Sequence, residues 1–277
     1  MTSTEYVAGL FDLTGHVGII TGGSRGLGFR QVKVLIDAGA TVYNLDLIPH
    51  SDEQMIREGH LIDIRCDVTD YDAVEKVVKG IVEKERQLDF LINNAGITFK
   101  CRAEEFPLDR LDKIIQINLK TPYMLARICY PYLKQSEYIG GVITISSMAA
   151  YMGFTGVLPY DMTKSGVLGL TRGLAEEWKN DNILVNSVAP GWFITKLNEE
   201  MFEKNPDRKA AALAKPMLPH FGDPVEIGYM MLFLLSGRIS PVKSSEYSLL
   251  ILIRNSRTII LYIKLKIFFI FRLHRRE

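Results

Sequence analysis

The chain is short of the residues that build disulfide frameworks and metal sites. Its 277 residues include three cysteines, Cys66, Cys101 and Cys129, an odd number with no C-x-x-C pair. That pattern argues against a disulfide scaffold and for a reducing compartment. The five histidines (His16, His50, His60, His220 and His274) have no ligand spacing, so no metal is expected. Glycine (22) and proline (11) are scattered, which excludes collagen-like and low-complexity chains. Met1 to Leu13 carries Glu5 and Asp12 but lacks the apolar run of a secretory leader. A cytoplasmic protein is therefore the expectation. The formal charge is only +1, so no nucleic-acid partner is expected, and 47% hydrophobic residues exclude whole-chain disorder.

The near-zero total hides an asymmetry. Residues 238–277 hold nine Lys/Arg against two Glu, a charge of +7, which leaves −6 on residues 1–237. The same forty residues contain no Gly, Ala or Asp. Composition thus divides the chain into a body, 1–237, and an atypical basic, apolar tail, 238–277.

The body alternates two kinds of segment. Val17–Thr21, Thr41–Leu47, Leu61–Cys66, Leu88–Ile92, Val142–Ser146 and Ile183–Val188 are short, β-branched and continuously apolar, as strands covered on both faces are. Helical patterns separate them: Leu27–Ala38, Tyr71–Arg86, Leu108–Gln135 (with breaks expected near Pro122 and Pro131) and Tyr160–Lys179. Such alternation implies parallel βαβ units and an α/β fold with one doubly wound sheet, helices on both faces.

Between the first strand and first helix lies Thr21-Gly22-Gly23-Ser24-Arg25-Gly26-Leu27-Gly28. Glycines there permit a tight turn and let backbone N–H groups approach a pyrophosphate at the helix N-terminus. The spacing is G-x3-G-x-G rather than G-x-G-x-x-G. Asp46, at the end of the second strand, suits an adenosine ribose diol and repels a 2′-phosphate. Arg25 argues the other way, since it can pair with that phosphate. The balance favours NAD over NADP.

A Tyr followed by Lys four residues on occurs three times: Tyr130/Lys134, Tyr160/Lys164 and Tyr262/Lys266. Only Tyr160 has a hydroxyl thirteen residues upstream. Ser147 stands there, after the fifth strand, where Ile117 and Leu249 precede the other two. Ligands of open α/β sheets bind at that strand edge.

Together these residues resemble the short-chain dehydrogenase/reductase family. The matching pieces are Thr21–Gly28, Asp67-Val68, Asn93–Gly96, Asn118, Ser147, Tyr160-x-x-x-Lys164 and Pro190-Gly191 with Thr195, in order over residues 10 to about 236. The resemblance implies a single Rossmann-type domain, a nicotinamide cofactor and a Ser147–Tyr160–Lys164 site assisted by Asn118, which would hold a water joining Lys164 to solvent. It places Gly22, Ser24, Arg25, Gly26, Leu27 and Gly28 on the cofactor, with Asp67 and Val68 at the adenine. Asn94 would meet the ribose, and the Phe193 backbone and Thr195 the carboxamide, beside Tyr160 and Lys164 themselves. Homo-oligomers are also implied. The chemistry is self-consistent. A phenol near pKa ~10 is too weak a base at neutral pH unless Lys164 and the cofactor's positive ring favour the phenolate.

Substrate is less sharply written. Residues 194–221 follow Pro190-Gly191 and would cover the pocket, where Lys196, Arg208 and Lys215 could meet an acidic substrate. Leu10–Gly15 and Phe221-Gly222-Asp223-Pro224 resemble the gluconate and deoxygluconate dehydrogenase-like subgroup, which points to a sugar acid or polyol. The likeness stops near Gly237, so the family's last strand is missing or replaced; Leu249–Ile253 or Thr258–Ile263 is the expected substitute. A chain that binds cofactor but turns over poorly is the alternative. The tail does not read as a membrane span. Sixteen apolar residues in 249–271 gain about 5–10 kcal/mol, whereas four central cations cost about 10–14 kcal/mol. It is read as sequence foreign to the family, with contact at an anionic membrane surface the weaker alternative.

Overall fold

The computed structural model describes residues 6, 9–48, 60–193, 221–236, 250–252 and 261–262. Six parallel strands carry the fold: β1 (Val17–Thr21), β2 (Thr41–Asp46), β3 (Leu61–Arg65), β4 (Phe90–Asn93), β5 (Gly140–Ile145) and β6 (Ile183–Ala189). Their order is β3-β2-β1-β4-β5-β6, the Rossmann arrangement in which the chain reverses direction between β1 and β4.

The helices are α1 (Gly26–Asp37), α2 (Tyr71–Glu85), α3 (Leu108–Ile115), α4 (Thr121–Leu133), α5 (Leu158–Glu177) and α6 (Val225–Leu235). Alternate strand residues feed opposite layers. Ile20, Val42, Phe90, Ile92 and Ile143 pack with α1 and α6; Ile19, Tyr43, Leu91 and Val142 pack with α2, α4 and α5. This two-sided burial is the reason the strand sequences are continuously apolar.

Two short strands stand beyond β6. β7 (Leu250–Leu252) pairs with it in parallel, and β8 (Leu261–Tyr262) closes antiparallel on β7. Both fall inside the two stretches expected to replace the family's last strand. The pairing covers the β6 edge, which would otherwise be an open template for another chain.

The long helical stretch is interrupted just before Pro122, as expected, but runs on through Pro131. Pro122 sits in the first turn of α4, where its missing N–H is not needed, and Pro131 lies inside the last turn of that helix. The interruption is a π-turn at Gln116–Lys120, between α3 and α4. It adds a residue to the turn and presents Asn118 toward the sheet edge.

Candidate active site

The glycine loop leaves β1 through Gly22, whose φ of +68° is open to glycine and strained for other residues. Gly28 needs its missing side chain for a different reason. A Cβ there would stand 2.2 Å from the Gly22 carbonyl oxygen and 2.6 Å from Asn94 Nδ2. Arg25 is exposed in extended backbone, and the first helical bond runs from Phe29 N to the Arg25 carbonyl at 3.2 Å. The N–H groups of Gly26, Leu27 and Gly28 therefore open α1 without intrahelical partners, at the positive end of its dipole. Gly28→Ala is expected to destabilise the fold by about 1–3 kcal/mol and to weaken dinucleotide binding with it. Urea unfolding and a cofactor titration of the same sample check both halves.

The loop is braced by side-chain contacts that motif spacing does not reveal. Thr21 Oγ1 accepts from the N–H groups of Asn94 and Ala95 at 3.1 and 3.0 Å. Asn94 Nδ2 donates to the Thr21 and Gly22 carbonyls at 3.0 and 2.9 Å, and Gln31 Nε2 donates to Asn94 Oδ1 at 2.9 Å. The Asn94 amide is thus committed to the loop, which leaves its main chain for any ribose contact. Asn44 Oδ1 accepts from Gly23 N at 2.8 Å while its amide donates to Ser24 Oγ at 2.9 Å. One signal pointed to Asn44: a polar residue inside an apolar strand must find partners when buried.

Asp46 ends β2 beside this loop. Its two oxygens accept from Ser24 N and Ile48 N, each at 3.2 Å. Asp67 and the half-buried Val68 follow β3. Asp67 Oδ1 accepts from the Thr69 N–H and hydroxyl at 2.9 and 2.7 Å, which holds its carboxyl below the usual range. Phe193 is buried in the core, and a backbone bridge from Phe193 to Gly222 brings together the two ends of segment 194–221. Thr195, Lys196, Arg208 and Lys215 lie outside the described residues.

The second cluster forms where β4, β5 and α5 meet the π-turn. Ser147 follows β5 and accepts from Ala149 N at 3.2 Å; its hydroxyl lies close enough to Tyr160 to act on the phenol. Tyr160 and Lys164 are one turn apart on α5, with Lys164 Nζ 5.6 Å from the tyrosine ring centroid. Lys164 is buried and donates from Nζ to the Ile145 carbonyl at 2.6 Å, and the Ser146 hydroxyl donates to the Lys164 carbonyl at 2.9 Å. Asn118 grips the chain after β4. It accepts from Ile97 N and donates to the Ile97 carbonyl, both at 2.8 Å, and reaches Thr163 Oγ1 at 3.3 Å. Gly96 approaches so closely that a Cβ there would stand 3.4 Å from Asn118 Oδ1 and 3.6 Å from Lys164 Nζ.

The other Tyr–Lys pairs differ in kind. Tyr130 donates to Asp181 at 2.8 Å, Lys134 pairs with the same carboxylate at 2.7 Å, and Lys134 is exposed. It is a surface ion pair. The Lys266 partner of Tyr262 lies outside the described residues.

The electrostatics of Tyr160 depart from expectation. Burial pushes its phenol above the ordinary value, the Ser147 hydrogen bond pulls it back and Asp161 pushes it up again. Lys164 does not counter this in the protein alone, because burial pulls its own pKa down to about 8 and its ammonium is directed at Ile145.

The short chain dehydrogenase profile matches residues 16–206. The chain belongs to the short-chain dehydrogenase family. It is 32% identical over 235 residues to the 3-oxoacyl-[acyl-carrier-protein] reductase FabG of Thermotoga maritima, covering 83% of this chain and 94% of that one. It is 30% identical over 230 residues to the 2-dehydro-3-deoxy-D-gluconate 5-dehydrogenase of Dickeya dadantii, covering 82% and 90%. A crystal structure from Beutenbergia cavernae superposes with a TM-score of 0.77 at 28% identity, over 84% of this chain and 94% of that one. That protein is provisionally assigned as an NAD(P)-dependent gluconate 5-dehydrogenase and holds NADP at low occupancy. As a short-chain dehydrogenase the chain is an oxidoreductase of a family that binds NAD(P). The glycine cradle, with two positions that a Cβ would fill and an open helix N-terminus, fits a dinucleotide. Among the described residues, no helix is long and apolar enough to cross a membrane.

Proposed function

We propose that this protein transfers a hydride between NAD(H) and the carbinol or carbonyl carbon of a sugar acid or polyol. The observation that carries the reading is Tyr160 one helical turn from the buried Lys164, with Ser147 beside it at the carboxyl edge of β5. The bound nicotinamide would supply or accept the hydride. Tyr160 would give its hydroxyl proton to the carbonyl oxygen during reduction and take it back during oxidation. Ser147 would donate to the same oxygen as negative charge develops there. Lys164 would orient the ribose and favour the phenolate, and Asn118 would keep the π-turn shaped around Lys164.

Asp46 supports NAD. Its carboxylate is fixed against the Ser24 N–H beside the place where a ribose 2′-position would lie, and a 2′-phosphate would meet like charge there. Calorimetric titration is expected to show NADH binding about tenfold tighter than NADPH, with Asp46→Asn shrinking the gap to about threefold or less. Equal affinities in the unsubstituted protein would reject this assignment.

The sugar-acid reading rests on the D. dadantii and B. cavernae likenesses and on Leu10–Gly15. The T. maritima relative makes a 3-oxoacyl thioester the competitor. Absorbance at 340 nm, followed with keto sugar acids, polyols and a 3-oxoacyl thioester, separates the two. Turnover confined to the thioester would replace the substrate class and leave the chemistry standing. Binding without turnover on any of them would favour a cofactor-binding chain impaired by its altered C-terminus. We further infer a cytoplasmic homo-oligomer whose catalytic unit is 1–237, the tail 238–277 being an addition to it.

A further inference from the structure

The loop from Met148 to Val157 joins the Ser147 end of β5 to α5, so it borders the reacting centre on one side. On the other side runs Pro190 to Phe193, after β6. The two are tied by a bond from Met148 N to the Pro190 carbonyl at 3.0 Å and by an edge-on ring contact, Phe154 against Trp192, with centroids 5.9 Å apart at 86°. Two further bonds steady the loop: Cys101 N to the Gly156 carbonyl at 2.9 Å and Ser165 Oγ to the Ala150 carbonyl at 3.2 Å. Neither acts on Phe154.

Phe154 is held by Asp161, the residue after Tyr160. The Phe154 N–H donates to Asp161 Oδ2 at 3.0 Å. The other oxygen, Oδ1, is buried and has no protein partner. Burial of a carboxyl oxygen without a partner is unfavourable. A group kept at that cost, in the first turn of the helix that carries Tyr160 and Lys164, has a use to offset it. Burial also pushes the Asp161 carboxyl upward, against the pull of the Phe154 N–H.

We infer that Asp161 is a positioning residue of the active site: by holding the Phe154 backbone to α5 it fixes the Phe154–Trp192 pair as a rigid aromatic wall of the substrate pocket. This deepens the proposed function, since the face of one aromatic ring, held by the edge of the other, suits the C–H face of a sugar-like substrate. The carboxylate sets the distance between the helix that bears Tyr160 and the wall on which the substrate rests. Loss of the tie leaves Ser147 and Tyr160 in place and frees the wall.

The test uses the full chain and two variants, Asp161→Ala and Asp161→Asn. Alanine removes the acceptor, whereas asparagine keeps an amide oxygen for the Phe154 N–H. Acrylamide quenching of tryptophan fluorescence reads the wall directly, with Trp192→Phe identifying the share due to Trp192, since Trp178 is the only other tryptophan. Asp161→Ala is expected to raise the quenching of Trp192 about twofold or more, and Asp161→Asn to restore it. In turnover, Asp161→Ala is expected to raise KM about tenfold with kcat within about threefold, again rescued by asparagine. Unchanged quenching in Asp161→Ala, or equal change in both variants, overturns the inference. A chain without turnover would refute the proposed function, while the fluorescence outcome still decides the role of Asp161.

Discussion

Tyr160→Phe is expected to lower kcat/KM by about 10³-fold or more while cofactor affinity stays within about threefold. Positioned proton transfer contributes about 10²–10⁴-fold, and a phenyl ring has no proton to give or take. Binding should survive because the glycine loop, Asp46 and the α1 N-terminus are separate from the tyrosine hydroxyl. Stability should change by no more than about 1 kcal/mol, the net worth of at most one hydrogen bond. Steady-state kinetics and calorimetry on one preparation check the pair of outcomes. Retained turnover would remove Tyr160 from the chemistry; lost binding would mean that the change damaged the site as a whole.

Lys164→Met is expected to abolish turnover and yet stabilise the fold. Lys164 is buried, and its pKa falls from 10.5 to about 8. Below pH 8 the amine is charged in both the folded and unfolded chain, and the folded state bears a constant cost of about 3 kcal/mol. Between about pH 8 and 10.5 the unfolded chain binds more protons than the folded one, so wild-type stability rises with pH across that range. Methionine has similar length and no charge. Some of the gain is offset by loss of the bond to the Ile145 carbonyl, which leaves a net stabilisation of about 1–3 kcal/mol at pH 7. The advantage should shrink toward zero as pH approaches 10. Urea unfolding of both proteins at pH 7 and pH 10 checks magnitude and sign together. A variant less stable at pH 7 would mean that the amine is already compensated in the fold. The stability that Lys164 costs is what a buried, reactive cation requires.

Much of this architecture is written locally. Val17–Thr21 and Ile183–Val188 read as buried strands because both their faces are covered, so most positions are apolar or small. Spacing also separated three Tyr–Lys pairs. Ser147 before Tyr160 marked the buried pair, and Ile117 before Tyr130 marked the one bound to Asp181 at the surface. What escaped depends on tertiary closure. Pro122 marks the interruption but does not announce its form, a π-turn at Gln116–Lys120, and α4 runs on through Pro131. Thr21, Gln31 and Ser146 act by reaching groups distant in sequence, which spacing does not encode. At Tyr160, spacing placed Lys164 one turn away but did not show that burial raises the phenol in the protein alone.

The most direct test of the account is hydride transfer itself. The full chain is incubated with NADH carrying deuterium at the transferable C4 position and a keto sugar acid, and the reduced product is analysed by mass spectrometry. One deuterium on the carbinol carbon, absent with Tyr160→Phe, is the predicted result. A product without deuterium, or equal labelling by Tyr160→Phe, would contradict the assignment of this site.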